Sequence, residues 1–111
     1  MSDGNITVGS AHVDLGPAFR EMAEEKIRQA ARKHLGDLEM ASVHVAREGV
    51  DFRCSVSMRM RGHNLVAGEA LADDARLAFR TALEKVAKQL RRAKRLLRED
   101  RLHRPEKINT A

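Results

Sequence analysis

Residues 73–104 read DDARLAFRTALEKVAKQLRRAKRLLREDRLHR, a stretch that contains neither glycine nor proline and is followed by Pro105. Its apolar residues recur at alternating steps of four and three, which places them along one stripe of an α-helix. The stripe consists of Phe79, Leu83, Val86, Leu90, Ala93 and Leu97. The stretch therefore predicts a long amphipathic helix, and the carboxylate of Asp73 or Asp74 is its expected N-cap.

Basic side chains are concentrated on this predicted helix. Eleven basic and three acidic residues lie between Arg76 and Arg104, a net charge of +8, whereas residues 1–75 have nine basic and twelve acidic residues, a net charge of −3. Counting about 100° per residue from Phe79, the side opposite the apolar stripe holds a group of basic residues, and further ones flank it. The opposite side holds Lys85, Lys88, Arg92 and Arg95, and the flanking residues are Arg80, Arg91 and Arg98.

This band of like charge predicts an anionic partner, and a folded polyanion such as RNA is the first candidate. Three other interpretations stay open: an ordinary solvated helix face, a helix that lies on a membrane surface, and a helix that docks on an acidic protein. A second helix, predicted from Pro17 onward, extends the band if the two helices pack side by side. Its basic residues are Arg20, Lys26, Arg28, Arg32 and Lys33, interleaved with Glu21, Glu24 and Glu25.

The composition is that of one soluble globular domain: 111 residues, of which 42% are hydrophobic and 33% charged. No run approaches the roughly 20 apolar residues that span a bilayer, and the N-terminus lacks the pattern of a signal peptide. The single cysteine, Cys54, excludes an internal disulfide framework and predicts a reducing, cytoplasmic setting. We expect the domain to span residues 1–102, and residues 103–111 to form a flexible tail or the start of a linker.

The residues do not predict an enzyme. The chain lacks a P-loop, a nucleophile elbow and a dinucleotide-binding fingerprint. Its five histidines are scattered, and Cys54 falls on the apolar side of a predicted strand, where burial disfavours the reactive thiolate. We therefore expect no catalytic residue, no metal site, no cofactor and no small-molecule substrate. Only three aromatic side chains are present, all phenylalanine, which argues against base stacking on an exposed sheet face.

Six elements are predicted along the chain. They are a strand at 5–9, a helix that begins at Pro17 with Gly16 as N-cap, strands at 39–47, 51–61 and 65–71, and the long helix described above. The strongest strand signal is the alternation in 51–61, which places Phe52, Cys54, Val56, Met58 and Met60 on one face. A hairpin turn is expected at Glu48-Gly49, and Gly68 marks either a bulge or a close backbone approach.

One apolar and one polar sheet face predict that both helices cover the same side of the sheet. The strand–helix–strand order favours a parallel first pairing, and the three consecutive strands favour antiparallel ones. The predicted fold is α+β, a two-layer βαβββα sandwich in which two helices pack on one face of a four-stranded mixed sheet.

Several short motifs, in this order and spacing, are typical of one family. They are Ile6-Thr7-Val8, the run from Leu15 to Arg20, Arg47-Glu48-Gly49, Phe52-Arg53-Cys54, Val66-Ala67-Gly68 and the run from Lys85 to Arg92. Over roughly residues 5–98 the chain resembles the bacterial ribosome hibernation promoting factors, also called ribosome-associated inhibitors, light-repressed proteins or sigma-54 modulation proteins. The resemblance implies the same βαβββα fold.

The resemblance also implies a function. Members of the family bind the small ribosomal subunit at the decoding region of 16S rRNA, overlap the mRNA and the A- and P-site tRNA positions, and silence translation in stationary phase or stress. The RNA-contacting positions of the family are matched here by Arg20, Lys26, Lys85, Lys88 and Arg92. Helical spacing adds Arg91 and Arg95 to this predicted RNA-binding set. The chain departs from the family pattern at Arg76 and Ala93, where aromatic residues are common.

Long members of the family have a second domain after a linker, through which two ribosomes are joined. This chain ends at Ala111, so it is expected to be either a short form or an N-terminal part of a long form. Both alternatives stay open, and ribosome dimerisation is expected only if the second domain exists.

Overall fold

The structure, a computed structural model, describes residues 5–34 and 37–109, with side chains up to Leu97. The elements are β1 (Asn5–Ala11), α1 (Gly16–His34), β2 (Leu38–Glu48), β3 (Asp51–Met60), β4 (Leu65–Ala72) and α2 (Ala75–Asn109). The four strands form one sheet in the order β1-β2-β3-β4. The β1–β2 pairing is parallel and the other two pairings are antiparallel, so the predicted α+β sandwich and its mixed sheet are confirmed.

The core lies between the sheet and both helices. Alternate residues of β3, from Cys54 to Met60, are at most 1% exposed and face Ile27 of α1 and Val86 of α2 in one buried cluster. Phe19 of α1 and Phe79 of α2 meet edge to face, with their ring centroids 6.0 Å apart. This ring contact joins the two helices directly, and it confirms that they cover the same face of the sheet.

The start of α2 is capped by Asp74. The Leu77 amide donates a hydrogen bond to Asp74 Oδ2 at 3.0 Å, and the Ala78 amide donates to the Asp74 carbonyl at 2.9 Å. An acidic N-cap satisfies one of the free amides of the first turn and favours the positive end of the helix dipole. Of the two residues that the sequence proposed, the cap is therefore Asp74.

The helix α2 is longer than predicted, because its backbone stays helical through Pro105 to Asn109. The expected tail at residues 103–111 thus begins within the helix, and a domain boundary at residue 102 stays a prediction. At a rise of about 1.5 Å per residue the 35-residue helix is about 52 Å long, well beyond the sheet that it covers. The overhang explains why Leu97, predicted to lie on the buried stripe, is 43% exposed.

The β2–β3 hairpin turns one residue later than predicted. Glu48 still pairs with Asp51, so the two-residue loop is Gly49-Val50. Gly49 has a φ of +63°, the conformation that the first position of a tight hairpin turn requires and that glycine adopts without strain.

Gly68 marks a close backbone approach. The β3–β4 register is unbroken on both sides of it, so the alternative of a bulge is wrong. A Cβ atom placed on Gly68 would lie 2.7 Å from the Ala82 carbonyl oxygen and 2.9 Å from Lys85 Cβ. The helix α2 thus sits directly on the backbone of β4, and this contact buries Ala78 and Ala82, which the predicted stripe did not include.

We predict that Gly68→Ala destabilises the fold by about 1–3 kcal/mol, because the new methyl group overlaps backbone atoms of α2 that cannot rotate away. Urea unfolding followed by circular dichroism measures the difference. Gly9→Ala is the matched control, since a Cβ there meets only His44 Cδ2 at 3.8 Å, an ordinary contact. Equal losses of stability in the two variants would show that the approach at Gly68 is not tight.

Candidate nucleic-acid interface

The outer surfaces of α1 and α2 enclose two adjoining depressions. The first, here called the basic cleft, lies between the C-terminal end of α1 and the middle of α2. It is lined by Lys33 and His34 from α1 and by Lys88, Arg91, Arg92, Lys94 and Arg95 from α2. None of the described residues that line it is acidic. Cations on concave walls of low dielectric reinforce one another, so the basic cleft is a site of strong positive potential.

The second depression, here called the interhelix groove, continues from the basic cleft toward the start of α2. It shares Lys33, His34 and Arg91 with the cleft and adds Lys26 from α1 and Arg80 from α2. Glu84 is the acidic residue among those that line it. The two depressions together form one basic surface that runs along both helices.

Five of the seven predicted RNA-binding residues lie on this surface. Arg91 lines both depressions, Lys26 lies in the interhelix groove, and Lys88, Arg92 and Arg95 line the basic cleft. Packing of α1 beside α2 is what brings Lys26 into the same surface as residues more than 60 positions later. The expectation that the first helix extends the basic band therefore has a geometric basis for Lys26 and for Lys33.

The other two predicted residues bind main-chain carbonyls at opposite edges of the sheet. Arg20 Nη1 donates a hydrogen bond to the Val8 carbonyl at 2.8 Å, on the edge strand β1. Lys85 Nζ donates to the Glu69 carbonyl at 2.7 Å, on the edge strand β4. Neither side chain lines the cleft or the groove. Their contribution to RNA binding stays a prediction. In the structure, each of the two side chains connects a helix to the main chain of an edge strand.

Besides Lys94, sequence reasoning did not select His34 as a residue of this surface. It ends α1, is 8% exposed and lines both depressions. Burial, and then the charges of Arg91, Lys33 and Lys94, hold the pKa of His34 below its usual 6.5. Its helical spacing from Ile27 and Ala31 indicates a buried position. Arg91 and Lys94 lie near His34 because α2 packs beside α1, and residue spacing within α1 alone cannot predict that contact.

The open face of the sheet differs in its electrostatics from the helical side. Arg53 contacts Glu48 at 2.6 Å and Glu69 at 3.5 Å, and Arg59 contacts Glu39 at 3.5 Å. Each arginine of these two clusters is therefore compensated by a carboxylate. Uncompensated positive charge accumulates on the helical side, which makes that side the candidate interface with a polyanion.

Cys54 is fully buried, as expected, and burial raises the pKa of its thiol to about 12. In the part of the chain that the structure describes, no three His, Cys, Asp or Glu side chains are close enough together to hold a metal ion. No helix in that part is long and apolar enough to cross a membrane.

We predict that His34 makes the fold less stable at acid pH. Its pKa is lower in the folded than in the unfolded chain, so as pH falls below about 6.5 the unfolded chain binds the proton first and gains stability. Urea unfolding at pH 7.5, 6.5 and 5.5 should show a smaller acid loss in His34→Gln than in the wild type. His44→Gln, at an exposed position of β2, is the control for the removal of an imidazole. Identical slopes in all three proteins would contradict the assignment.

Comparison with known proteins relates this chain to a ribosome hibernation promotion factor. The chain is 27% identical over 95 residues to the ribosome hibernation promotion factor of Rhizobium meliloti (strain 1021), an alignment that covers 86% of this chain and 50% of the relative. The chain therefore spans about half the length of that relative.

Two solved structures share the fold. The N-terminal domain of Thermus thermophilus Protein Y superposes with a TM-score of 0.69 at 24% identity, covering 78% of this chain and 93% of that one. A ribosomal subunit interface protein from Coxiella burnetii superposes with a TM-score of 0.70 at 20% identity, covering 81% and 97%. At these identities the likeness shows the fold.

The family itself is shown by a match over most of the sequence. The model of the family described as "Sigma 54 modulation protein / S30EA ribosomal protein" matches residues 6–98. This range contains β1 from Ile6 onward, the basic cleft and the motifs that suggested the resemblance, which is thereby confirmed. The chain belongs to the sigma 54 modulation protein / S30EA ribosomal protein family.

Proposed function

We propose that this domain binds RNA of the small ribosomal subunit through the basic cleft and the interhelix groove, and that binding there silences translation. The observation that carries the proposal is the basic cleft, where six cationic side chains from two helices converge without a carboxylate among its described lining residues. The family, and a relative named as a ribosome hibernation promotion factor, support a ribosomal partner.

The length of the surface suits a nucleic-acid backbone. From Arg80 to Arg95 the helix α2 rises about 22 Å, a distance that spans several successive phosphates of one nucleic-acid strand. Arginine and lysine bind phosphate oxygens through charge-assisted hydrogen bonds. Such contacts position a protein on RNA without reading its sequence, so specificity comes from the shape of the site that receives the two helices.

Within the small subunit, the proposed binding site is the decoding region of 16S rRNA. A domain held there by phosphate contacts overlaps the paths of mRNA and of the A- and P-site tRNAs, so inhibition requires occupancy alone and no catalytic group. Stationary phase or stress in the cytoplasm is the setting in which such reversible silencing is useful. The predicted contacts are Lys26, Lys88, Arg91, Arg92 and Arg95, with Arg20 and Lys85 at the sheet edges.

We expect Lys88→Glu plus Arg92→Glu to weaken binding to small subunits by about 100-fold, because two charge-assisted contacts of about 1.5 kcal/mol each are lost. Co-sedimentation with purified subunits over a range of protein concentrations measures the affinity. Arg59→Glu plus Arg61→Glu is the control with the same change of net charge, since Arg59 is exposed on β3, Arg61 is exposed in the turn that follows β3, and neither lines the cleft or the groove. Equal losses in both variants would show that net charge acts without a site, and wild-type binding by the first variant would refute the site.

The salt dependence of binding should report the number of phosphate contacts. With about five phosphates neutralised, the slope of log affinity against log salt is about −4, and the Lys88→Glu plus Arg92→Glu variant should have a slope shallower by about two. Titration of fluorescent protein with subunits at several KCl concentrations gives both slopes. The alternative is a non-ribosomal module whose basic helix binds an acidic protein or another structured RNA. It predicts no competition with mRNA or tRNA for a ribosomal site, so the same titration with tRNA present separates the two functions.

A further inference from the structure

The outer edge of β4 is occupied by side chains of α2. Lys85 Nζ donates a hydrogen bond to the Glu69 carbonyl at 2.7 Å, and Gln89 Nε2 donates to the Ala67 carbonyl at 2.6 Å. The two donors lie one helical turn apart, about 6.0 Å along α2, and the two acceptors lie two residues apart, about 6.8 Å along β4. The spacings of helix and strand therefore match.

These carbonyls belong to the unpaired side of the strand. In an antiparallel strand alternate residues direct their main-chain groups to opposite sides, and β4 has a neighbour, β3, on one side only. Lys85 is exposed, and it reaches Glu69 from outside the sheet, so Glu69 and Ala67 direct their carbonyls away from β3. Gly68 lies between them, and its lack of a side chain lets α2 come near enough for both donors to reach.

We propose that Lys85 and Gln89 close the outer edge of β4 against pairing with the β4 strand of a second copy of this chain. An unpaired strand edge is a template for another strand, and proteins protect such edges with charged side chains or cover them with a helix. Here the cover is a matched pair of side-chain donors that use the carbonyls which an added strand would need.

A second copy is the occupant that this edge fits, because β4 is self-complementary about Gly68. In an antiparallel pair centred on Gly68, Leu65 lies opposite Leu71 of the second copy, and Ala67 lies opposite Glu69. Leu65 and Leu71 are 56% and 49% exposed, and both lie on the open face of the sheet. Cross-strand pairing would bring these two large apolar side chains together, which favours the pair once the edge is open.

The inference goes beyond RNA binding and gives Lys85 a role separate from phosphate contact. It also explains why Gln89, which has no charge to offer RNA, is directed at the same strand. The fold can therefore lose edge closure and keep the basic cleft, since neither Lys85 nor Gln89 lines the cleft.

The test removes both donors and leaves the length of the side chains almost unchanged. Lys85→Met plus Gln89→Leu should form a dimer whose population rises with concentration, while the wild type stays at its monomer mass of 12.4 kDa. Light scattering after size exclusion measures the mass, and hydrogen exchange should show slower exchange of the Ala67 and Glu69 amides in the dimer. The matched control is Lys88→Met plus Gln29→Leu, which makes the same chemical changes at helix positions away from β4 and should stay monomeric.

A third variant tests the register. Adding Leu71→Lys to the double variant places a charge opposite Leu65 of the second copy and should restore the monomer. Should the double variant not fold, Gln89→Leu alone removes one donor without adding a charge and should already raise the dimer population. The proposal is overturned if the donor-deficient proteins stay monomeric, if Leu71→Lys leaves the dimer intact, or if the wild type itself pairs through β4.

Discussion

The contact between α2 and the backbone of β4 at Gly68 decides how the rest of this domain is arranged. A methyl group at Gly68 would overlap the Ala82 carbonyl, so the helix axis is as near to the strand as main-chain atoms allow. Because the helix lies so close to the strand, Ala78, Ala82 and Val86 face the sheet. The opposite side of the same helix must then carry Lys88, Arg92 and Arg95 outward, next to α1. One glycine in a strand thus sets the rotation of a helix whose charge is the candidate for function.

Charge on the two sides of the domain follows from this rotation. Lys88, Arg91, Arg92, Lys94 and Arg95 lie within two helical turns and repel one another, which weakens α2 as an isolated helix. Burial of its apolar side against the sheet supplies the compensating stability, since most helical stability in proteins comes from such packing. On the open sheet face, where no packing offsets repulsion, Arg53 is paired with Glu48 and Glu69. The domain therefore tolerates uncompensated cations where the core holds them in place.

The periodicity of the apolar residues, together with the glycine and proline residues at turns and helix ends, is sufficient to predict the fold. The alternation through Cys54, Val56 and Met58 identified the central strand, and the four-three spacing from Phe79 to Leu90 identified the long helix. The predicted hairpin turn was wrong because two neighbouring turn positions satisfy the same sequence preference for glycine. Both Glu48-Gly49 and Gly49-Val50 place glycine in the hairpin turn, and strand pairing selects the second.

The role of each cation in the candidate site depends on tertiary contacts, which the sequence does not reveal. Angular position on α2 places Lys85 and Lys88 on the same outer face, yet Lys88 lines the cleft whereas Lys85 reaches around to β4. Only the position of the strand separates them. Arg20 was similarly grouped with Lys26 by its place on α1, and its guanidinium instead binds the Val8 carbonyl. Charge and periodicity thus identified the surface, but the role of each cation depends on the element packed beside it.

His34 shows how this arrangement connects the core to the surface. Its ring lies at the end of α1 between Lys33 of its own helix and Arg91 and Lys94 of α2, so burial and three positive charges keep its pKa low. A phosphate in the basic cleft adds negative charge next to the same ring and acts in the opposite direction, favouring the imidazolium. Coupling between two binding events is reciprocal, so whatever a polyanion contributes to proton affinity at His34, the proton contributes equally to affinity for the polyanion. On the proposed function, the convergence of cations in the cleft therefore makes RNA binding dependent on pH.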